Sequence, residues 1–170
     1  NLQDLVDGRV DAVTAYSTVE PARLREMGGT PSQLRAVDYG VDFYGDTLFT
    51  TEDFARRHHD TADAVVRATL RGWDYAMDHP QELIAYILTL PGVAERGVTP
   101  QHLQTEAAEM RRLVLADVVN IGHMNPARWE RMAQTFRDTG VLTGNAGSLE
   151  GFMFEPTTTF DRRRMLALLW

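Results

Sequence analysis

GRVDAVTAYSTVEP, residues 8–21, and YGVDFYGDTLFTTEDF, residues 39–54, decide how this chain is read. In the first, residues 10–15 read as a short strand. Residues 19–27 read as a helix whose Pro21 falls in the first turn, where its missing N–H costs nothing, and Gly28-Gly29 ends it. In the second, a crossing punctuated by Gly40 and Gly45 lies between strands expected at 33–37 and 47–51. Both stretches set tyrosines and carboxylates beside strand ends, where small ligands are usually held.

Working outward, NLQDLVDGRV at the start reads as the end of an amphipathic helix, with Leu2, Leu5 and Val6 on one side. From Glu52 the pattern turns helical. Val65, Val66, Thr69, Leu70, Trp73 and Met77 recur three and four apart and draw one apolar stripe. Further helices are expected at 80–90, 100–116 and 126–139, each opening near a proline. Loop-rich stretches fall at 91–99 and 143–148, and no internal repeat is present. The expectation is a small α/β element followed by a helical layer.

Composition narrows the function. With 170 residues, 44% of them hydrophobic and 24% charged, the chain is long enough for one domain with a core. A formal net charge of −7, without a basic run before the tail, argues against a nucleic-acid partner. Cysteine is absent, which removes disulfides, thiolate metal sites and a cysteine nucleophile. All 17 basic residues are arginine, so no lysine of this chain can form a Schiff base. No apolar run approaches the roughly 20 residues that span a bilayer.

The chemistry-bearing residues are Asp11, Tyr16, Glu20, Tyr39, Asp42, Tyr44 and Asp46. A tyrosine supplies a flat face and a hydroxyl, and a carboxylate accepts paired N–H donors. Together they suit an aminopyrimidine or a similar heteroaromatic ring. Local roles compete: Tyr16 can pack at a strand end and Glu20 can offset a helix dipole. Tyr39, Asp42 and Tyr44 either line a cleft or hold the crossing together. The His58-His59-Asp60 run reads as a solvated helix end, because adjacent helical residues point about 100° apart and chelate poorly. His79, His102 and His123 fall at helix boundaries, where caps explain them, so no metal site is expected. Trp73 and Trp129 read as core. Glu106, Glu109, Arg111 and Arg112 read as a solvated face with local pairs. No serine, histidine and acid set identifies a catalytic centre.

Several of these stretches resemble one family. Gly8, Val10, Asp11 and Ala12 are similar to the G-x-V-D-A strand of the periplasmic solute-binding proteins grouped with the thiamine-pyrimidine synthases, and Tyr16-x-x-x-Glu20-Pro21 continues the likeness. Residues 39–54 resemble that family's return strand. GWDYAMDHPQE (72–82) and IGHMNPARW (121–129) resemble its later helices, and the likeness runs to about Phe154.

The resemblance implies the C-terminal, helix-rich portion of a type II periplasmic-binding-protein-like α/β fold. Residues 1–45 would form part of the second lobe and the hinge crossing, 46–155 the helical remainder of the first lobe, and 156–170 a tail helix. A long portion is then expected before Asn1. It also implies that Tyr16 and Glu20 contact a heterocyclic ring, that Asp11 is structural, and that Tyr39, Asp42 and Tyr44 are further candidates. The family's enzymatic branch consumes pyridoxal phosphate and a histidine and carries a cysteine-rich iron motif, which would fall at 41–46. Here that segment is VDFYGD, without thiolates, so neither an enzyme nor a cofactor is expected.

The implied role is extracytoplasmic capture of a small heterocyclic solute for delivery to an ABC importer. The alternative is a ligand-sensing domain fused to a histidine kinase or diguanylate cyclase. It is suggested by the tail, where a new apolar helix would begin at Phe160, after GFMFEP, and run to Trp170. The same tail helix could instead dock on the first lobe. Expressed alone, the chain would leave sheet edges and apolar faces uncovered and is expected to self-associate or to melt weakly. Sedimentation and thermal melting check this, and a monomer with a cooperative melt would contradict it.

Overall fold

In the computed structural model the described residues are 1–143 and 149–156. The expected tail helix and most of the 143–148 loop lie outside them. The described chain is helical: α1 (Leu2–Val6), α2 (Glu20–Glu26), a 3-10 turn (Ala36–Tyr39), α3 (Glu52–Arg57), α4 (His59–Asp78), α5 (Pro80–Leu88), α6 (Pro100–Val114) and α7 (Pro126–Asp138). Among the described residues no helix is long and apolar enough to cross a membrane.

The helix ends follow from local chemistry. In α1 the Asn1 side chain accepts from the Asp4 backbone N–H at 3.0 Å, and the Asp4 carboxylate reaches back to the Asn1 ammonium at 3.2 Å. Thr51, Thr99 and Asn125 cap α3, α6 and α7 through their side-chain oxygens. Prolines open α5, α6 and α7 and stand just inside α2, where φ is already suitable. The helical run expected from Glu52 divides at His58, whose φ of −128° and ψ of 43° end α3 before α4 begins.

The expected strands do not form. Among the described residues there is no strand: residues 10–15 and 47–51 lack regular structure, and 36–37 belong to the 3-10 turn. A strand exists only through ladder bonds to a neighbour about 4.8 Å away, and these segments meet none among the described residues. Their apolar side chains are correspondingly bare, with Leu34 83% and Phe49 89% exposed. The helix-rich part of the expectation is found, while the strands of its α/β part do not form among the described residues.

The described residues divide into two compact units, one of residues 1–33 and 71–121, the other of residues 34–70 with the described residues from Gly122 onward. Within the first, α2 packs on α1 and α6, and α5 packs on α6. Pro21, Leu24, Met77, Ile84 and Val93 are its buried apolar residues. Arg111 pins the end of α4 by donating from Nη1 to the Met77 carbonyl at 2.8 Å, and from Nε to Asp117 Oδ2 at 3.0 Å. The hydrogen bond to Asp117 also raises the Arg111 pKa, which keeps its charge fixed. Tyr75 Oη donates to Glu82 Oε2 at 2.7 Å, and that bond holds its phenol above the ordinary range. His102 joins α6 to α2. Its Nδ1 accepts the Thr99 N–H at 3.3 Å, so Nε2 carries the proton given to the Glu26 carboxylate.

Within the second unit, α7 holds the 42–44 segment, Phe43 lies against Phe136 with ring centroids 4.9 Å apart, and Ala62 and the Asp63–Arg67 ion pair are drawn in on α4. Gly122 has φ +81° and lies against Leu70, whose Cγ is 3.6 Å from where a Cβ would stand. Gly140 has φ +73° with nothing within 4 Å. Alanine at either site suffers the left-handed backbone cost of about 1–2 kcal/mol. Gly122→Ala must also turn the Leu70 side chain, so it is expected to cost more than Gly140→Ala in urea unfolding. Equal costs would show that Leu70 moves freely.

Candidate functional site

Four of the seven residues singled out from the sequence fall into two pairs. Tyr16 and Glu20 lie at the start of α2. The Tyr16 carbonyl accepts from the backbone N–H groups of Val19 and Glu20 at 3.1 and 3.3 Å, so the chain is already turning helically when it reaches Pro21. Glu20 Oε2 then accepts the Tyr16 N–H at 2.7 Å. That bond supplies a backbone donor at the helix start with its partner and fixes the carboxylate against its own turn. The Tyr16 side chain is 77% exposed, with its ring and hydroxyl open to solvent. The pair therefore offers an uncovered aromatic ring and, one helical turn on, a carboxylate oriented by the backbone. It can stack a flat ring and accept N–H donors through Oε1.

Asp42 and Tyr44 are bound into a different cluster, built on the first turn of α7. Arg128 Nη2 donates to Asp42 Oδ1 at 2.6 Å and to the Phe43 carbonyl at 2.9 Å, while Nε donates to the Asp42 carbonyl at 3.3 Å. Its guanidinium carbon lies 4.1 Å from the centroid of the Tyr44 ring. The Tyr44 hydroxyl accepts the Asn125 N–H at 2.7 Å, its backbone N–H points at Met132 Sδ at 3.5 Å, and its ring lies 4.9 Å from that of Trp129. These contacts hold the segment in place through Asp42 Oδ1 and the accepting side of the Tyr44 hydroxyl.

The remaining candidates stand apart. Tyr39 ends the 3-10 turn with its ring 71% exposed. Asp11, expected to be structural, is exposed and makes no hydrogen bond among the described residues; Asp46 is likewise exposed and unbonded there. Among the described residues no group of three histidines or carboxylates is close enough to hold a metal ion. His58 and His59 instead contact the rings of Phe54 and Phe154 at 5.0 and 5.1 Å.

Sequence reasoning missed Arg128 and misplaced Trp129. Arg128 makes its contacts 85 and 86 positions away, and no spacing rule reaches that far. Trp129, expected in the core, is only half-buried. With Phe152, Glu130, Glu150, Pro126 and Met153 it walls a cavity of about 290 Å³. Trp73 is exposed rather than core.

A family model described as NMT1/THI5 like matches residues 1–83 of the chain. A formylaminopyrimidine-binding protein of Halalkalibacterium halodurans is 32% identical over 87 residues, which are 50% of this chain and 26% of that relative. No solved structure matches the chain. Tyr16, Glu20, Tyr39, Asp42 and Tyr44 all fall inside the matched span, and α7 falls outside it.

Arg128→Ala removes three donated hydrogen bonds and the contact on Tyr44, and is expected to destabilise the protein by about 2–3 kcal/mol in chemical denaturation. Arg128→Lys keeps the charge but not the planar fork, and should recover less than half of that loss. A lysine variant as stable as the parent would show that charge alone holds the segment.

Proposed function

We propose, on the premise that the chain belongs through residues 1–83 to the NMT1/THI5-like family, that it is part of an extracytoplasmic solute-binding protein for a small, amine-bearing heteroaromatic ring. The observation that carries this reading is the Tyr16–Glu20 pair inside the matched span. A free aromatic face and a carboxylate held by its own backbone are the two parts such a ring needs: a stacking partner and an acceptor for exocyclic N–H groups. The relative's name, a formylaminopyrimidine-binding protein, supports the same class of ligand.

The act proposed is binding rather than catalysis. In a type II periplasmic-binding-protein-like fold, two lobes close over the solute, and the closed form is then handed to an ABC importer. Tyr16 and Glu20 are the ligand contacts in this reading. Tyr39, with its open ring, is the next candidate. Asp42 and Tyr44 serve by shaping the segment that follows it.

The test is a thermal-shift screen of the protein against aminopyrimidines, thiamine, riboflavin and sulfonates, repeated with Tyr16→Ala and Glu20→Gln. The glutamine can still accept the Tyr16 N–H but carries no charge, so it separates ligand recognition from helix capping. An aminopyrimidine at about 100 times its Kd should add roughly 2.7 kcal/mol of stability. Both variants are expected to lose most of that gain while melting near the parent without ligand. Stabilisation by aminopyrimidine that survives in both variants would remove the pair from the site. No stabilisation by any of the compounds would overturn the proposed ligand class.

A further inference from the structure

On the premise of the function proposed above, we infer that Thr18 is a further ligand contact of the Tyr16–Glu20 site, and that its hydroxyl makes the site select rings whose exocyclic amine stands next to a ring nitrogen. Residues 16–20 form one turn, closed where the Tyr16 carbonyl accepts the backbone N–H groups of Val19 and Glu20 at 3.1 and 3.3 Å. Between the aromatic ring and the carboxylate the turn carries two hydroxyls. Ser17 is exposed, so water serves its hydroxyl, whereas Thr18 is only 8% exposed.

Burial without a partner sets Thr18 apart. Among the described residues the buried polar or charged side chains are those of Thr18 and Asp63, and Asp63 forms an ion pair with Arg67. Thr18 makes no hydrogen bond there. A hydroxyl largely withdrawn from water and left unbonded is costly until a partner arrives. It is not sealed in, however. The unbonded side-chain atom that is fully enclosed among the described residues is Trp129 Nε1, so the Thr18 oxygen still reaches the surface.

The chemistry of the hydroxyl complements that of its neighbours. A hydroxyl can donate, which an ionised carboxylate cannot. Thr18 is two residues from Tyr16 and two from Glu20, so its Cα lies within about 7 Å of each of theirs. One ring bearing hydrogen bonds of about 2.9 Å at its edge reaches across such a gap. An amine beside a ring nitrogen presents a donor and an acceptor side by side: the N–H goes to Glu20 Oε1, and the Thr18 O–H goes to the ring nitrogen. A ring whose amine has carbon on both sides satisfies Glu20 alone and leaves the hydroxyl unbonded, which is how a polar site rejects a near-isostere.

The experiment is a calorimetric titration of the protein with 4-aminopyrimidine and with its isomer 5-aminopyrimidine, whose amine has carbon on both sides. The isomers share their ring and their amine and differ in what they offer to Thr18. The parent is expected to bind the 4-amino isomer about five- to tenfold more tightly, the worth of one hydrogen bond. Thr18→Val keeps the shape without the hydroxyl and should bring the two isomers within about twofold of each other, while Thr18→Ser should keep most of the preference. Melting of the unliganded variants checks their folding, and the isomer comparison in the parent needs no variant. A parent that binds both isomers equally, or a Thr18→Val protein with the parent's preference, would overturn the role of Thr18 and leave the function proposed above standing. Binding of neither isomer would overturn that function, and the role of Thr18 with it.

Discussion

The Arg128 guanidinium is the constraint on which the geometry of the 42–44 segment depends. Residues 41–45 have no regular secondary structure, and their backbone carbonyls gain no ladder partner. Arg128 supplies donors to two of those carbonyls and to the Asp42 carboxylate, while the Tyr44 ring takes the guanidinium on its face. A planar fork can serve several acceptors at once where an ammonium cannot. Its position on the first turn of α7 is set by the Asn125 cap and Pro126. A helix start thus substitutes for a neighbouring strand as the partner of an irregular segment.

The helices were legible in the sequence because what makes them is local. Pro21, Pro80, Pro100 and Pro126 mark starts, and the observed bounds depart from the expected ones by no more than about two residues, within the fraying of helix ends. The strands were not legible in the same sense. Residues 10–15 and 47–51 have the alternation of a strand, but alternation states only what a segment could pair with, and pairing is decided elsewhere in the chain. The break at His58 has no proline or glycine to mark it, so the run from Glu52 reads as one helical stretch.

The candidate site divides along the same line. Tyr16 and Glu20 are four residues apart, so their association could be expected from spacing alone, and the structure joins them by a bond at 2.7 Å. The partners of Asp42 and Tyr44 lie more than 80 positions away, and nothing in VDFYGD points toward Asn125 or Arg128. Trp129 was misread for a related reason. It falls on the apolar face of an amphipathic helix, and whether that face meets a closed core or an open cavity depends on residues near Phe152.

Two carboxylates among the candidates show how an acid can be held and still be useful. Asp42 is paired with a cation, so its charge is already compensated and a neutral ligand gains little by donating to it. Glu20 has given one oxygen to a backbone N–H and, among the described residues, forms no ion pair. Its orientation is fixed, so that on the proposed reading part of the ordering cost of binding is met before any ligand arrives. On the proposed reading, this fixed direction, with no cation paired to the carboxylate among the described residues, makes Glu20 rather than Asp42 the acid suited to an amine-bearing ring.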